Sequence, residues 1–185
     1  EARGYEYIAI TDHTKAVRVA GGLTKAGFHQ QSRAIDAIRT QLSKLVVLKG
    51  AEVDILDSGA LDLDDETLEE LDVVIVSVHS RLNMSKAEMT RRIVRALRHP
   101  RVQILGHPTG RLIGRREPYP IDMAEVVRVA RDYGVLLEIN AQPDRLDLND
   151  LYIEMARQAG VKLTISTDAH RVQELDYVRY GVDQA

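Results

Sequence analysis

Short apolar runs recur along this chain, each followed by a polar loop and then by a segment whose apolar positions fall three and four residues apart. That alternation predicts strands followed by helices. The strand-like runs are Tyr5-Glu6-Tyr7-Ile8-Ala9-Ile10, Leu45-Val46-Val47-Leu48, Val73-Val74-Ile75-Val76-Ser77, Val102-Gln103-Ile104-Leu105, Val135-Leu136-Leu137-Glu138-Ile139 and Val161 to Ile165. Several are apolar throughout, as expected of strands covered on both faces of a parallel sheet. Helix-period segments run from Leu23 to Ser43, from about Asp65 to Glu70, from Ser85 to the stop at Pro100, from about Asp122 to Tyr133 and from about Leu148 to Gln158. Ser85 and Glu88 have the spacing of a capping box. Behind them Met89, Ile93, Val94 and Leu97 share one face, which leaves Arg91, Arg92, Arg95 and Arg98 as a solvated one. Between Val53 and Leu63 an alternating pattern centred on Asp57-Ser58-Gly59 predicts a short hairpin.

Successive strand-then-helix units with short connections make a parallel sheet with right-handed crossovers, either open and doubly wound or closed as a barrel. The polar residues decide between them. Thr11-Asp12-His13, Gly50-Ala51-Glu52, Ser77-Val78-His79, Gly106-His107-Pro108 and Thr167-Asp168-Ala169-His170 each stand directly behind a strand. An open sheet offers one crevice where strand order reverses, whereas a barrel gathers the C-terminal ends of all its strands around one mouth. Five polar-ended strands therefore predict a barrel.

Composition narrows the chemistry. With 185 residues and 44% hydrophobic content, the chain can bury one sizeable core. Cysteine is absent. Any transition metal must then be held by His, Asp and Glu, and disulfides are excluded. No apolar run approaches the roughly 18 residues of a membrane span, and a cytoplasmic location is the expectation. The formal charge of -3 argues against a chain-wide match to nucleic acid, so a polyanionic substrate would be met by a local arginine patch and by metal. The ends carry a further expectation: Glu1-Ala2-Arg3-Gly4 reads as the last turn of a helix with a glycine cap, and Gly181 to Ala185 stops without a terminus signal, as in a piece of a longer protein.

Of the six histidines, four stand at strand ends, while His29 and His99 sit within or at the end of helices and are assigned structural roles. His13, His79, His107 and His170, with Glu52 and Asp168, form a candidate metal-ligand set. Imidazoles plus a bridging carboxylate suit zinc, manganese or iron(II) better than calcium or magnesium. Two or three ions about 3.5–4 Å apart would activate a water and stabilise the in-line displacement of a phosphoester. Arg81, Arg111, Arg115, Arg116 and Arg145 lie in loops beyond the strands, and guanidinium matches phosphate bidentately. Arg81, Arg111 and Arg145 are the candidate substrate contacts, with Asn140 as a possible orienting amide.

The ordered set Ile8-Ala9-Ile10-Thr11-Asp12-His13, Gly50-Ala51-Glu52, Ser77-Val78-His79, Gly106-His107-Pro108, Glu138-Ile139-Asn140 and Ser166-Thr167-Asp168-Ala169-His170 resembles the polymerase-and-histidinol-phosphatase (PHP) domain. The wording around Gly50 to Leu56 and Leu137 to Asp147 is most similar to the PHP domain at the C-terminus of bacterial family-X DNA polymerases. The resemblance implies a distorted (β/α)7 TIM-like barrel, here lacking its first strand and most of its first helix, with residues 1–185 as one truncated domain of a longer polymerase. It also implies up to three divalent ions (Mn2+ or Zn2+, with Fe2+ allowed). Glu52 would bridge, His79 and His107 would share one ion, Asp168 would join Glu52 on a second, and His13 with His170 would hold the third. The strand with a His-x-His pair that opens such domains is not in this sequence. The implied activity is 3′-5′ exonuclease and DNA end processing in repair, with Glu52 and His79 acting through a metal-bound hydroxide and DNA 3′ ends and a polymerase module as partners. Two alternatives remain open: a small-molecule phosphatase acting on a phosphomonoester such as histidinol phosphate, and a non-catalytic module that positions DNA.

Overall fold

The computed structural model describes residues 3–185. Six strands, β1 (Tyr7–His13), β2 (Val46–Asp54), β3 (Val73–Ser77), β4 (Ile104–Leu105), β5 (Leu136–Asn140) and β6 (Leu163–Ser166), form one sheet in the order β1-β2-β3-β4-β5-β6. Every neighbouring pair is parallel. The connecting helices are α1 (Lys25–Arg39), α2 (Asp65–Glu69), α3 (Lys86–Leu97), α4 (Met123–Tyr133) and α5 (Asp150–Gln158), and α6 (Val178–Gln184) follows β6. Strand order equal to chain order, with each crossover returning on the same side, curls the sheet into a half-barrel. The expected α/β fold is present, as an arc rather than a closed ring: no ladder joins β1 to β6 among the described residues. The two flanks meet through loops instead, where Tyr5 Oη donates to Leu175 O at 2.6 Å and Arg3 pairs with Asp176 at 2.8 Å.

The core follows from the apolar runs. Val53, Val74, Val76, Leu105, Leu137 and Ile139 from the inner strands pack with Met89, Ile93 and Leu97 of α3 and Val126 and Ala130 of α4, all essentially inaccessible to solvent. The Ser85 capping box of α3 forms as the sequence predicts, with Ser85 accepting from the Glu88 amide and Glu88 accepting from the Ser85 amide. The hairpin beyond β2 is a tight turn, in which Ile55 bridges Leu61 and Gly59 adopts φ +83°, a conformation that favours glycine.

Three expectations are corrected. The first two strands continue through their motifs, so Thr11-Asp12-His13 lies within β1 and Gly50-Ala51-Glu52 within β2 rather than behind them. The first helix spans Lys25–Arg39 instead of 23–43, because the Thr24 side chain caps its start and accepts from the Gly27 amide. Arg92 is not on a solvated face: it is 2% exposed and donates to Ile55 O, Leu56 O and Ser80 O, tying the loop after β2 to the loop after β3. The helical turn expected at Glu1-Ala2 lies outside the described residues. None of the helices described is long and apolar enough to cross a membrane.

Candidate metal centre

Parallel strands in register deliver their last residues to one edge. In the pairing register Glu52 of β2 stands beside His13 of β1, and β3 leads through Ser77 and Val78 to His79. Gly106, between β4 and His107, is required by close approach: a Cβ there would come within 2.5 Å of Ser77 Oγ and 2.9 Å of Ile75. His107 takes φ +27° and Asp168 φ +48°, and Arg81 is also left-handed at +52°. Such backbone settings cost about 1–3 kcal/mol each and cluster where geometry matters more than stability.

Glu52 is the hub. Its Oε1 lies 2.9 Å from His107 Nε2 and 3.2 Å from His79 Nε2, and its Oε2 lies 3.5 Å from His13 Nδ1. The imidazoles surround it, with ring centroids 5.0 Å apart for His13 and His79 and 5.1 Å apart for His79 and His107. His170 reaches within 6.1 Å of the His13 ring, yet 62% of its side chain is exposed, so it stands on the rim. Asp168 joins through Asn140 Nδ2 at 3.1 Å and Arg145 Nε at 3.6 Å. The six candidate ligands thus line one mouth, four packed tightly around Glu52 or being it, and two at the β6 side.

Burial alone would push the Glu52 carboxyl upward, but hydrogen bonds from His107 and His79 outweigh it and hold it well below the usual carboxylate range. Burial likewise opposes protonation of His79, while Asp54 and Glu52 on its two nitrogens raise it to about 9. Glu138, enclosed beneath the site, is pushed by burial to about 7 although its Oε2 accepts from the His107 amide at 2.5 Å.

The donor set fits a divalent cation. One atom each from His13, Glu52 and His79 lie within 4.8 Å of one another. His13 Nδ1 and His107 Nδ1 are buried without a hydrogen-bond partner, which is costly unless another group completes them. Asp54 Oδ1 meets His79 Nδ1 at 3.0 Å and also accepts from the His79 amide at 3.1 Å, leaving Nε2 turned toward Glu52. A carboxylate behind a ligating imidazole fixes its tautomer and raises its basicity.

Around the mouth the arginines divide. Arg145 has 18% of its side chain exposed and one buried guanidinium nitrogen without a partner. Arg81 is mostly exposed and 4.0 Å from Asp57. Arg111 instead directs Nε and Nη2 at the carbonyls of Arg145 and Leu146, and Arg115 pairs with Asp144, so both knit loops together. Arg116 instead braces its own loop through Gly110 O. Asn140 is buried and bridges Glu138 to Asp168. Sequence reasoning missed Asp54 and Glu138. Each lies two residues from a singled-out position on the same strand, Glu52 and Asn140, and a period of two would have put them on the same face.

No family model matches the chain. It is 45% identical over 183 residues to the DNA polymerase/3′-5′ exonuclease PolX of Bacillus subtilis, covering 99% of this chain but 32% of that protein, so it spans about a third of that relative's length. Probable phosphatases of Thermoanaerobacter sp. and Acetivibrio thermocellus are 30% and 32% identical, each matching 91% of this chain and 68% of the relative. A histidinol phosphate phosphatase from Lactococcus lactis, solved with zinc, L-histidinol and phosphate, shares the fold with a TM-score of 0.59 at 17% identity, over 98% of this chain and 82% of that one. With the strand-end motifs gathered on one mouth, these likenesses show that the chain belongs to the polymerase-and-histidinol-phosphatase family and is a PHP-type phosphoesterase domain.

Proposed function

We propose that this domain hydrolyses phosphodiester bonds at DNA 3′ ends as a 3′-5′ exonuclease, and that residues 1–185 are part of one PHP domain in a longer chain that also carries a family-X polymerase module. The 45% identity to PolX across nearly the whole of this chain carries this reading. A cytoplasmic location goes with it. In this reading His13, Glu52, His79, His107, Asp168 and His170 hold up to three divalent ions, zinc or manganese.

Such ions, when bound, activate water and neutralise charge on the phosphoryl oxygens. The protein's own contributions are positional. Glu52 links the His13, His79 and His107 side chains at one point, and Asp54 holds His79 so that Nε2 faces inward. Arg145, anchored beside Asp168 with 18% of its side chain exposed, offers its guanidinium to a phosphate oxygen, and Arg81 offers a second cation from the loop after β3. Asn140 fixes Asp168 by donating to its Oδ2.

A second reading, a phosphatase of small phosphomonoesters, is favoured by the phosphatase relatives, of which the chain covers 68%. The two are separated by assaying the full-length protein with Mn2+ on single-stranded DNA and on a phosphomonoester such as histidinol phosphate. Stepwise shortening of DNA from its 3′ end is expected. Turnover of the monoester with intact DNA would overturn the exonuclease reading in favour of the second.

A further inference from the structure

His79 and His107 both point Nε2 at Glu52 Oε1, but their other nitrogens are treated differently. His79 Nδ1 rests on Asp54, whereas His107 Nδ1 is buried without a partner. The turn that begins at His107 encloses a second orphan. Asp147, 0% exposed, accepts from the amides of Thr109 and Gly110 through Oδ2 at 3.0 and 2.9 Å, while its Oδ1 is buried and unbonded. The Gly110 amide is shared between Asp147 Oδ2 and His107 O, each at 2.9 Å, so carboxylate and histidine lie against one donor. The Thr109 hydroxyl lies beside the same carboxylate and helps to hold its charge.

We infer that Asp147 is a positioning residue for His107, its Oδ1 accepting through one bridging water from the Nδ1–H of the imidazole, the role that Asp54 plays directly for His79. The inference rests on the metal-centre reading above and deepens it. A carboxylate oxygen can only accept, and an imidazole whose Nε2 ligates a cation must carry its proton on Nδ1, so the two orphans are complementary. Burial pushes the Asp147 carboxyl up, and His107 is foremost among the groups that pull it back. Oδ2 meanwhile fastens the turn, so one side chain sets both the backbone of His107 and the tautomer of its ring.

Asp147→Asn separates these two jobs. The amide oxygen can keep both backbone contacts, while the NH2 replaces Oδ1 and cannot accept from the bridging water. In the full-length protein, zinc affinity by chelator competition is expected to fall about 10- to 100-fold in D147N, as it should in the comparator D54N. The metal-free unfolding midpoint should stay put. In long-range 1H–15N spectra of the zinc-loaded protein, the slowly exchanging Nδ1–H resonance of His107 should be present in wild type and lost in D147N. Unchanged affinity with that resonance retained would overturn the inference while leaving the metal centre standing. A fall in affinity matched by a fall in the metal-free midpoint, with the resonance retained, would reduce Asp147 to a turn scaffold and overturn it too. Failure of the wild type to bind zinc at all would bring down the metal-centre reading itself.

Discussion

The inner strands β2 to β5 and the flanking strands β1 and β6 use the same sequence logic to different degrees. On the inner strands both faces are covered, and the polar residues at their ends are locked: Glu52, Asp54, His107, Glu138 and Asn140 are all buried, and each is hydrogen-bonded to backbone or to a neighbouring candidate ligand. On the flanks, Tyr7 is 64% and Ile10 37% exposed, β6 is only half-buried, and the rim ligand His170 is largely in solvent. The comparison teaches that the interior of the arc is both the stability core and the rigid half of the site, while the flanks supply ligands with less support around them.

That contrast can be broken in order of effect. Glu52→Gln, at the centre, should lower phosphoesterase turnover by more than about 100-fold, beyond what loss of an outer partner causes, in an assay with saturating Mn2+. His170→Ala, on the rim, should cost less in the same assay. Equal losses would dissolve the distinction between the two regions. Leu137→Ala, fully buried in β5, should destabilise the fold by about 2–5 kcal/mol in urea unfolding, whereas Tyr7→Thr on the open face of β1 should change it by about 0.5 kcal/mol or less. Arg145→Ala should weaken KM for a DNA substrate more than kcat, by roughly 10-fold or more, since a charge-assisted phosphate contact is worth about 1.5–3 kcal/mol. An unchanged KM would remove Arg145 from the substrate site.

The inner half was also the more legible half in the sequence. Uninterrupted runs such as Val73 to Ser77 announce strands covered on both sides, and that strand falls at the expected residues. The capping box at Ser85 marked its helix because the signal is local. What stayed hidden was non-local. Nothing in the i, i+4 pattern of α3 tells Arg92 from Arg91, Arg95 or Arg98; its burial comes from carbonyls of two loops that the fold folds over it. Arg111 looked like a phosphate contact for the same reason, since its carbonyl partners at 145 and 146 are distant in sequence. The supporting carboxylate Asp54 carries no local signal of its role, which comes only when the fold sets it against His79 Nδ1. A barrel short of its first strand was expected from ligands on five strands, and the arc of six strands has the curvature to bring them to one mouth.

The central claim is that side chains from the ends of β1, β3 and β4 converge on Glu52, with Asp168 and His170 at the β6 side of the same mouth, to hold divalent ions. Anomalous diffraction from crystals soaked in Zn2+ tests it most directly. The expected result is a peak about 2.0–2.2 Å from Glu52 and from nitrogens of His79 and His107. Strong zinc peaks elsewhere, with none among Glu52, His13, His79 and His107, would contradict it.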